Sequence, residues 1–226
     1  MSNRPRPFEK FYINIPFRLL AKIIAHRLES TFITPNMIIA IGIIFVGTGC
    51  SLLVFLPLDQ SWISIPFILS MALFAALDGT LARYKKISNP FGSWLNVIAE
   101  RIEYILIGIS FAWYSYSVTQ DYLILFLCLT SLIFREGIGT TSVMTLAKMP
   151  KGWYGIYNDD FLYRKSSLLK VCIRLFFYTG THYIVFVCLG IYFKAPFYFI
   201  LFMSLYGLIT YLLVILQIGI KVSNEK

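Results

Sequence analysis

Six long apolar runs constrain this chain more than any other feature. They fall at about 36–58, 62–82, 94–117, 121–147, 165–193 and 195–221, with short polar stretches between them. Each is near or above the ~20 residues that a helix needs to cross the hydrocarbon of a bilayer. Open strands leave backbone groups unsatisfied in lipid, and the alternation of a barrel strand is absent, so the runs predict helices. The expected fold is all-α: a polytopic membrane protein with about six transmembrane helices and an N-terminal interfacial amphipathic helix. Composition agrees, since 14% of the 226 residues are charged, against roughly 25% in a soluble domain. The opening residues lead into Phe8-Glu-Lys and not into an apolar core, which predicts no cleaved signal peptide.

A net charge of +9 would suit nucleic acid, but its distribution argues for topology. Arg4, Arg6, Lys10, Arg18, Lys22 and Arg27 precede the first run, and Arg83, Lys85 and Lys86 follow the second. Lys148, Lys151, Arg164, Lys165 and Lys170 lie between the fourth and fifth, and Lys221 and Lys226 close the chain. The opposite loops hold one basic residue, Lys194. That asymmetry places both termini in the cytoplasm, beside anionic headgroups, and leaves nucleic acid without a role.

The N-terminal segment, about 11–30, carries Phe11, Ile15, Phe17, Leu19, Leu20, Ile23 and Ile24 at helical spacing against Arg18, Lys22 and Arg27. It reads as an interfacial helix and a simple membrane anchor. Thr34 and Pro35 suit the N-cap and first position of the first span. Two parts follow: 1–33, a cytoplasmic N-terminus with its interfacial helix, and 34–226, a six-span membrane domain. The four cysteines, Cys50, Cys128, Cys172 and Cys188, sit in apolar runs without metal-ligand spacing and read as small apolar residues.

Ionisable groups within spans are expensive and need a reason. Asp78 lies near the end of the second span, Glu100, Arg101 and Glu103 in the third, and Arg135 and Glu136 in the fourth. Gly92, Asn96, Glu100 and Glu103 follow steps of four, four and three, which puts them on one helix face. Asp78 and Ala82 share a face of the preceding helix, so both faces can line one cavity open to the cytoplasm. The bland alternative is a structural ion-pair network, for example Glu100 or Glu136 with Arg135. A transporter is a further one.

The segment reads Ala75-Ala-Leu-Asp78-Gly79-Thr-Leu-Ala82-Arg83, then eight residues, then Gly92-Ser-Trp-Leu-Asn96-Val-Ile-Ala-Glu100. This resembles the signature of the CDP-alcohol phosphotransferase family, D-x-x-D-G-x-x-A-R, about eight residues, G-x-x-x-D-x-x-x-D. Thr34-Pro35-Asn36 resembles the family's opening of the first span, and Arg135-Glu136 an arginine–glutamate pair of some members. Lys165 resembles a basic residue used near phosphates. The resemblance implies transfer of a substituted phosphate from a CDP-linked alcohol, such as CDP-diacylglycerol, to an alcohol acceptor with release of CMP, in phospholipid biosynthesis. It implies magnesium or manganese as cofactor, CDP-alcohol and membrane lipid as partners, and a homodimer. By the same resemblance Glu100 is the catalytic base and Asp78 and Asn96 are metal ligands. Asn36, Gly79, Ala82, Arg83 and Gly92 would bind nucleotide, and Arg135 and Lys165 phosphate or acceptor.

The chain departs from that signature at three of four acidic positions: Ala75, Asn96 and Glu100 replace aspartates, and Asp78 is unchanged. Four carboxylates carry about −4, and these positions here carry about −2. Three functions stay open on the sequence: a transferase with an altered or single-metal site; a catalytically silent homologue that binds nucleotide or lipid or scaffolds a partner; and a transporter.

Overall fold

The computed structural model describes residues 12–87, 90–148 and 180–223. Among them every regular element is helical. A 3₁₀ turn (Tyr12–Asn14) leads into α1 (Ile15–Leu28), followed by α2 (Pro35–Phe55), a second 3₁₀ turn (Ser61–Ser64), α3 (Ile65–Tyr84) and α4 (Pro90–Thr119). Then come α5 (Leu123–Lys148), α6 (Gly180–Tyr192) and α7 (Pro196–Ser223). Two stretches, Pro35–Phe55 and Ser61–Tyr84, are long and apolar enough on their own to cross a membrane. At 1.5 Å per residue, α2 is about 31 Å long, the thickness of the hydrocarbon layer.

Burial runs opposite to that of a water-soluble bundle. On α4 the exposed stripe is Ile102, Ile105, Ile109 and Trp113, while Glu103 and Ser110 are buried. Aromatic residues are exposed at both ends of the bundle: Trp62, Tyr122, Tyr192 and Tyr198 at the end where α2 turns into α3, Trp94 and Phe91 where α3 turns into α4. An apolar belt of this extent is unfavourable in water and is solvated by lipid, with aromatic rings at the headgroup levels.

The start of α2 follows the expected chemistry. Thr34 is extended (φ −97°, ψ 158°), its Oγ1 accepts from Met37 N at 3.3 Å, and Pro35 opens the helix. The end of α3 needs a left-handed residue, Lys86 (φ 57°). Ile87 N donates to Ala82 O (3.1 Å) and Lys86 N to Arg83 O (3.2 Å), a Schellman-type stop that turns the chain toward α4. Lys85 Nζ donates to Thr31 O at 2.5 Å, tying this turn to the α1–α2 connection.

Helix α1 docks on α3 through two alanines, with Ile24 of the amphipathic pattern packed beside them. Ala21 and Ala25 are fully buried and pack with Ile38, Leu77 and Leu81, while Ile15, Leu19, Leu20 and Ile23 stay exposed. The small alanine ridge lets the helices approach closely, which a row of leucines would prevent. Phe11 lies outside the described residues.

Helix α2 packs along both α3 and α4, whereas α3 and α4 touch each other over only a short stretch. The result is a gap between α3 and α4 with α2 behind it. Toward the α2–α3 turn the bundle closes into its main core, with Ile68, Met71, Phe111, Tyr114, Ile191 and Met203 buried together.

Candidate functional site

The polar residues singled out in the sequence meet at the α3–α4 end of the bundle. Asp78, near the end of α3, is buried, and its Oδ1 accepts from Gly79 N at 2.5 Å. Arg83, one turn on, is exposed, and its Nη2 donates to Thr80 Oγ1 at 3.1 Å. Both residues have further interactions. Among the described residues a methyl group on Gly79 would meet only Arg83 Nη1, at 3.9 Å. Ala82 and Gly92 are half-buried beside it.

Across the gap, α4 presents Asn96 and Glu100 one turn apart. Asn96 Nδ2 donates to Glu100 Oε1 at 3.3 Å, the amide orientation being assigned from this contact. The bond confirms the shared face and leaves Asn96 Oδ1 as the ligand-capable atom. Asn36, at the start of α2, is exposed.

Deeper in the same gap lies Glu103, 5% exposed. Asp78 and Glu100 are the charges nearest to it electrostatically. No described residue donates a hydrogen bond to its carboxylate. Gly42 of α2 makes room for it: a Cβ there would stand 3.4 Å from Glu103 Oε1 and 3.1 Å from Phe74 Cβ.

The fourth wall is α5. It carries an ion pair across helices, in which Arg101 Nη1 of α4 donates to Glu136 Oε2. Arg135 instead lays its guanidinium over the Tyr104 ring, 3.9 Å from the centroid, a cation–π contact. It is also the cation that acts most strongly on Glu100. Arg135 Nε and Glu136 Oε1 are buried without a hydrogen-bond partner among the described residues. Lys165 and Cys172 lie outside the described residues. Cys50, Cys128 and Cys188 are buried free thiols.

The residues can be tested against a divalent ion. Asp78, Asn96 Oδ1 and Glu100 offer oxygen only, the donor chemistry of magnesium and manganese. Among the described residues no three of His, Cys, Asp and Glu converge on one point, so the donors stand apart on two helices flanking the gap. The two motif carboxylates, Asp78 and Glu100, match the charge of one such ion. They do not match the pair that four aspartates would hold.

Sequence spacing found Asp78, Asn96 and Glu100. It did not find Gly42, nor the seat of Arg135 on Tyr104, because both depend on how neighbouring helices are rotated and shifted.

Comparison with the curated proteins finds no match. The family model described as CDP-alcohol phosphatidyltransferase matches residues 32–220, a span that takes in α2, α3, α4 and every motif position from Ala75 to Glu100. The chain belongs to the CDP-alcohol phosphatidyltransferase family.

Proposed function

We propose that this protein transfers a substituted phosphate from a CDP-linked alcohol, with CDP-diacylglycerol as the reference donor, to an alcohol acceptor and releases CMP. The family acts on CDP-alcohols in phospholipid synthesis, is integral to membranes and generally depends on divalent metal. The observation that supports the reading is that Asp78 of α3 and Glu100 of α4 both act electrostatically on Glu103, with Asn96 hydrogen-bonded to Glu100.

The chain's own groups divide the work as follows. Gly79, Ala82 and Gly92 leave room for the nucleotide, and the Arg83 guanidinium offers a fork to phosphate. Asn36 lies on the nucleotide side. Asp78 and Asn96 Oδ1 hold one magnesium or manganese ion, which when bound neutralises the pyrophosphate and favours departure of CMP. Glu100 accepts the proton of the attacking hydroxyl. As the new O–P bond forms, the P–O bond to CMP breaks. Arg135 and Lys165 receive the phosphate or acceptor. Six spans, cytoplasmic termini and a homodimer complete the reading, supported by the Lys/Arg asymmetry for topology and by the family alone for the dimer.

A second reading, a catalytically silent homologue that binds nucleotide or lipid, is favoured by Ala75 and Asn96. Release of CMP from CDP-diacylglycerol by purified protein, with pooled alcohol acceptors and varied divalent metal, separates the two. Turnover abolished by Asp78→Asn and by Glu100→Gln is the expected result. Absence of metal-dependent CMP release from the unmodified protein selects the silent homologue.

A further inference from the structure

Helix α1 meets the bundle with one face and turns the opposite face outward. Ala21 and Ala25 are fully buried and pack with Leu77 and Leu81 of α3. Residues turn by about 100° along a helix, so Ile15, Leu19 and Ile23, at steps of four, form a row on the far side from that alanine ridge. All three are exposed, Leu19 and Ile23 at 57% each. Lys22 and Arg27, both exposed, fall on the two sides of the row. Between Tyr12 and Thr34 the sequence holds one acid, Glu29, which stands 3.8 Å from His26 at the α2 end of the helix. We propose that this outward face is a docking surface for anionic lipid of the membrane around the bundle, and that lipid held there steadies the site end of α3.

The depth of α1 supports the proposal. The His26 ring lies 6.2 Å from the Tyr84 ring at the end of α3, and Lys85 Nζ donates to Thr31 O just beyond α1. Trp94 and Phe91 are exposed at this same end, where aromatic rings mark the headgroup level. A helix at that depth lays an apolar row among the upper acyl chains and its flanking cations among the phosphates.

The chemistry of the face selects the partner. A soluble anion would leave Leu19 and Ile23 in water. A second copy of this face would set Lys22 and Arg27 against like charges, which is repulsive. A zwitterionic lipid would cover the row and leave the two cations without a net negative partner. Anionic lipid satisfies both parts of the surface.

The distance from this surface to the site is short along the chain. Leu77 and Leu81, which receive the alanines, bracket Asp78 and Gly79 in sequence, and Lys85 follows Arg83 by two residues. Whatever fixes α1 therefore restrains the turns of α3 that carry Asp78, Gly79, Ala82 and Arg83. The inference concerns α1 and α3 alone and holds for an active transferase and for a silent homologue.

Hydrogen exchange of the full chain in lipid nanodiscs tests it, because amide protection reports local opening. Discs of phosphatidylcholine are compared with discs that also contain phosphatidylglycerol. At low salt the anionic lipid should slow exchange in α1 and in residues 77–84 by about tenfold, the effect of two cations at an anionic surface. Added salt should shrink the difference. The double variant Lys22→Gln, Arg27→Gln keeps the apolar row and should lose most of the response, with its exchange in phosphatidylcholine unchanged. Residues 65–70, at the far end of α3, should exchange alike in both discs. Equal exchange of the unmodified chain in the two discs, or a double variant that responds as the unmodified chain does, overturns the lipid surface. A response confined to α1 overturns its coupling to α3, and an equal slowing of residues 65–70 overturns the assignment to this face. None of these outcomes depends on CMP release, so the transferase reading stands or falls separately.

Discussion

The two ends of this bundle are built on opposite rules. Toward the α2–α3 turn, large side chains fill the space: Phe111, Tyr114, Ile68 and Ile191 are fully buried, and Phe111 stacks on Tyr114 at 15° with centroids 6.2 Å apart. A Cβ on Gly49 there would lie 2.7 Å from Phe67 Cβ and 3.1 Å from Ile68 N, so α2 and α3 meet backbone to backbone. Toward the α3–α4 turn the buried groups include carboxyls: Asp78 and Glu103 are buried, and Glu100 and Asp78 both act on Glu103. The comparison teaches a division of labour. Lipid offers helices no hydrophobic reason to associate, so packing at one end must hold the bundle while the other end stays open around groups that oppose closure.

The largest expected effect comes from emptying the packed end. Phe111→Ala should lower stability by about 3 kcal/mol, at the lower edge for such truncations because the transfer part of the loss shrinks when the reference is lipid. Thermal unfolding of the purified protein in mild detergent reads this directly. CMP release measured well below the transition should be unchanged. A loss of turnover without a loss of stability would break the division between the ends.

Overfilling the same end is the next largest. Gly49→Ala forces α2 away from the Ile68 backbone, which cannot yield as a flexible side chain can. A loss of about 2 kcal/mol is expected, as for other overpacked sites. A neutral result in the same unfolding assay would mean that α2 and α3 are not clamped there.

At the open end, Arg101→Gln removes the cation from Glu136 and leaves a carboxylate with one oxygen already without a described partner. Buried fully, such a loss would be several kcal/mol. The two side chains are 35% and 23% exposed, and solvent brings the expected loss to about 1 kcal/mol. The effect should grow when salt is lowered. An Arg101→Gln protein as stable as the unmodified one would show that the open end contributes nothing to cohesion.

Much of this architecture is legible in the sequence, and the limits are physical. Run length located the helices because the bilayer fixes the number of residues a span requires. Steps of three and four put Asn96 and Glu100 together because one helix determines its own faces, and the 3.3 Å hydrogen bond between them bears this out. Contacts between helices are another matter. Arg101 and Arg135 are both adjacent in sequence to a glutamate, and sequence offers no means of telling which reaches Glu136. Neighbouring residues point about 100° apart, so a small rotation of α4 or α5 exchanges the partners. The same ignorance of rotation hid the docking face of α1: Leu19 and Ile23 were read as a lipid-facing row, and nothing in the pattern pointed to Ala21 and Ala25 as the residues that dock. Membership in the family was legible from eight spaced positions despite Ala75, Asn96 and Glu100, since the glycines, Ala82 and Arg83 preserve the shape that the charge does not.

The smallest expected effect on stability is the sharpest test of the comparison, because it should carry the opposite sign to its effect on binding. Gly79 sits on the site face of α3, and among the described residues an added methyl would meet only Arg83 Nη1 at 3.9 Å, an ordinary contact. With no clash, Gly79→Ala exchanges a poor helix former for the best one and should raise stability by up to about 1 kcal/mol. If the open face exists to admit a nucleotide, that methyl occupies space the ligand needs, and affinity for a CDP-alcohol in isothermal titration should fall. At Gly49 the same substitution should lower stability, because there the glycine serves helix packing. Opposite signs at the two glycines would establish that α3 spends its small residues on packing at one end and on ligand access at the other. A Gly79→Ala protein that gains stability and binds CDP-alcohol as before would show that the gap on this face admits something other than the nucleotide.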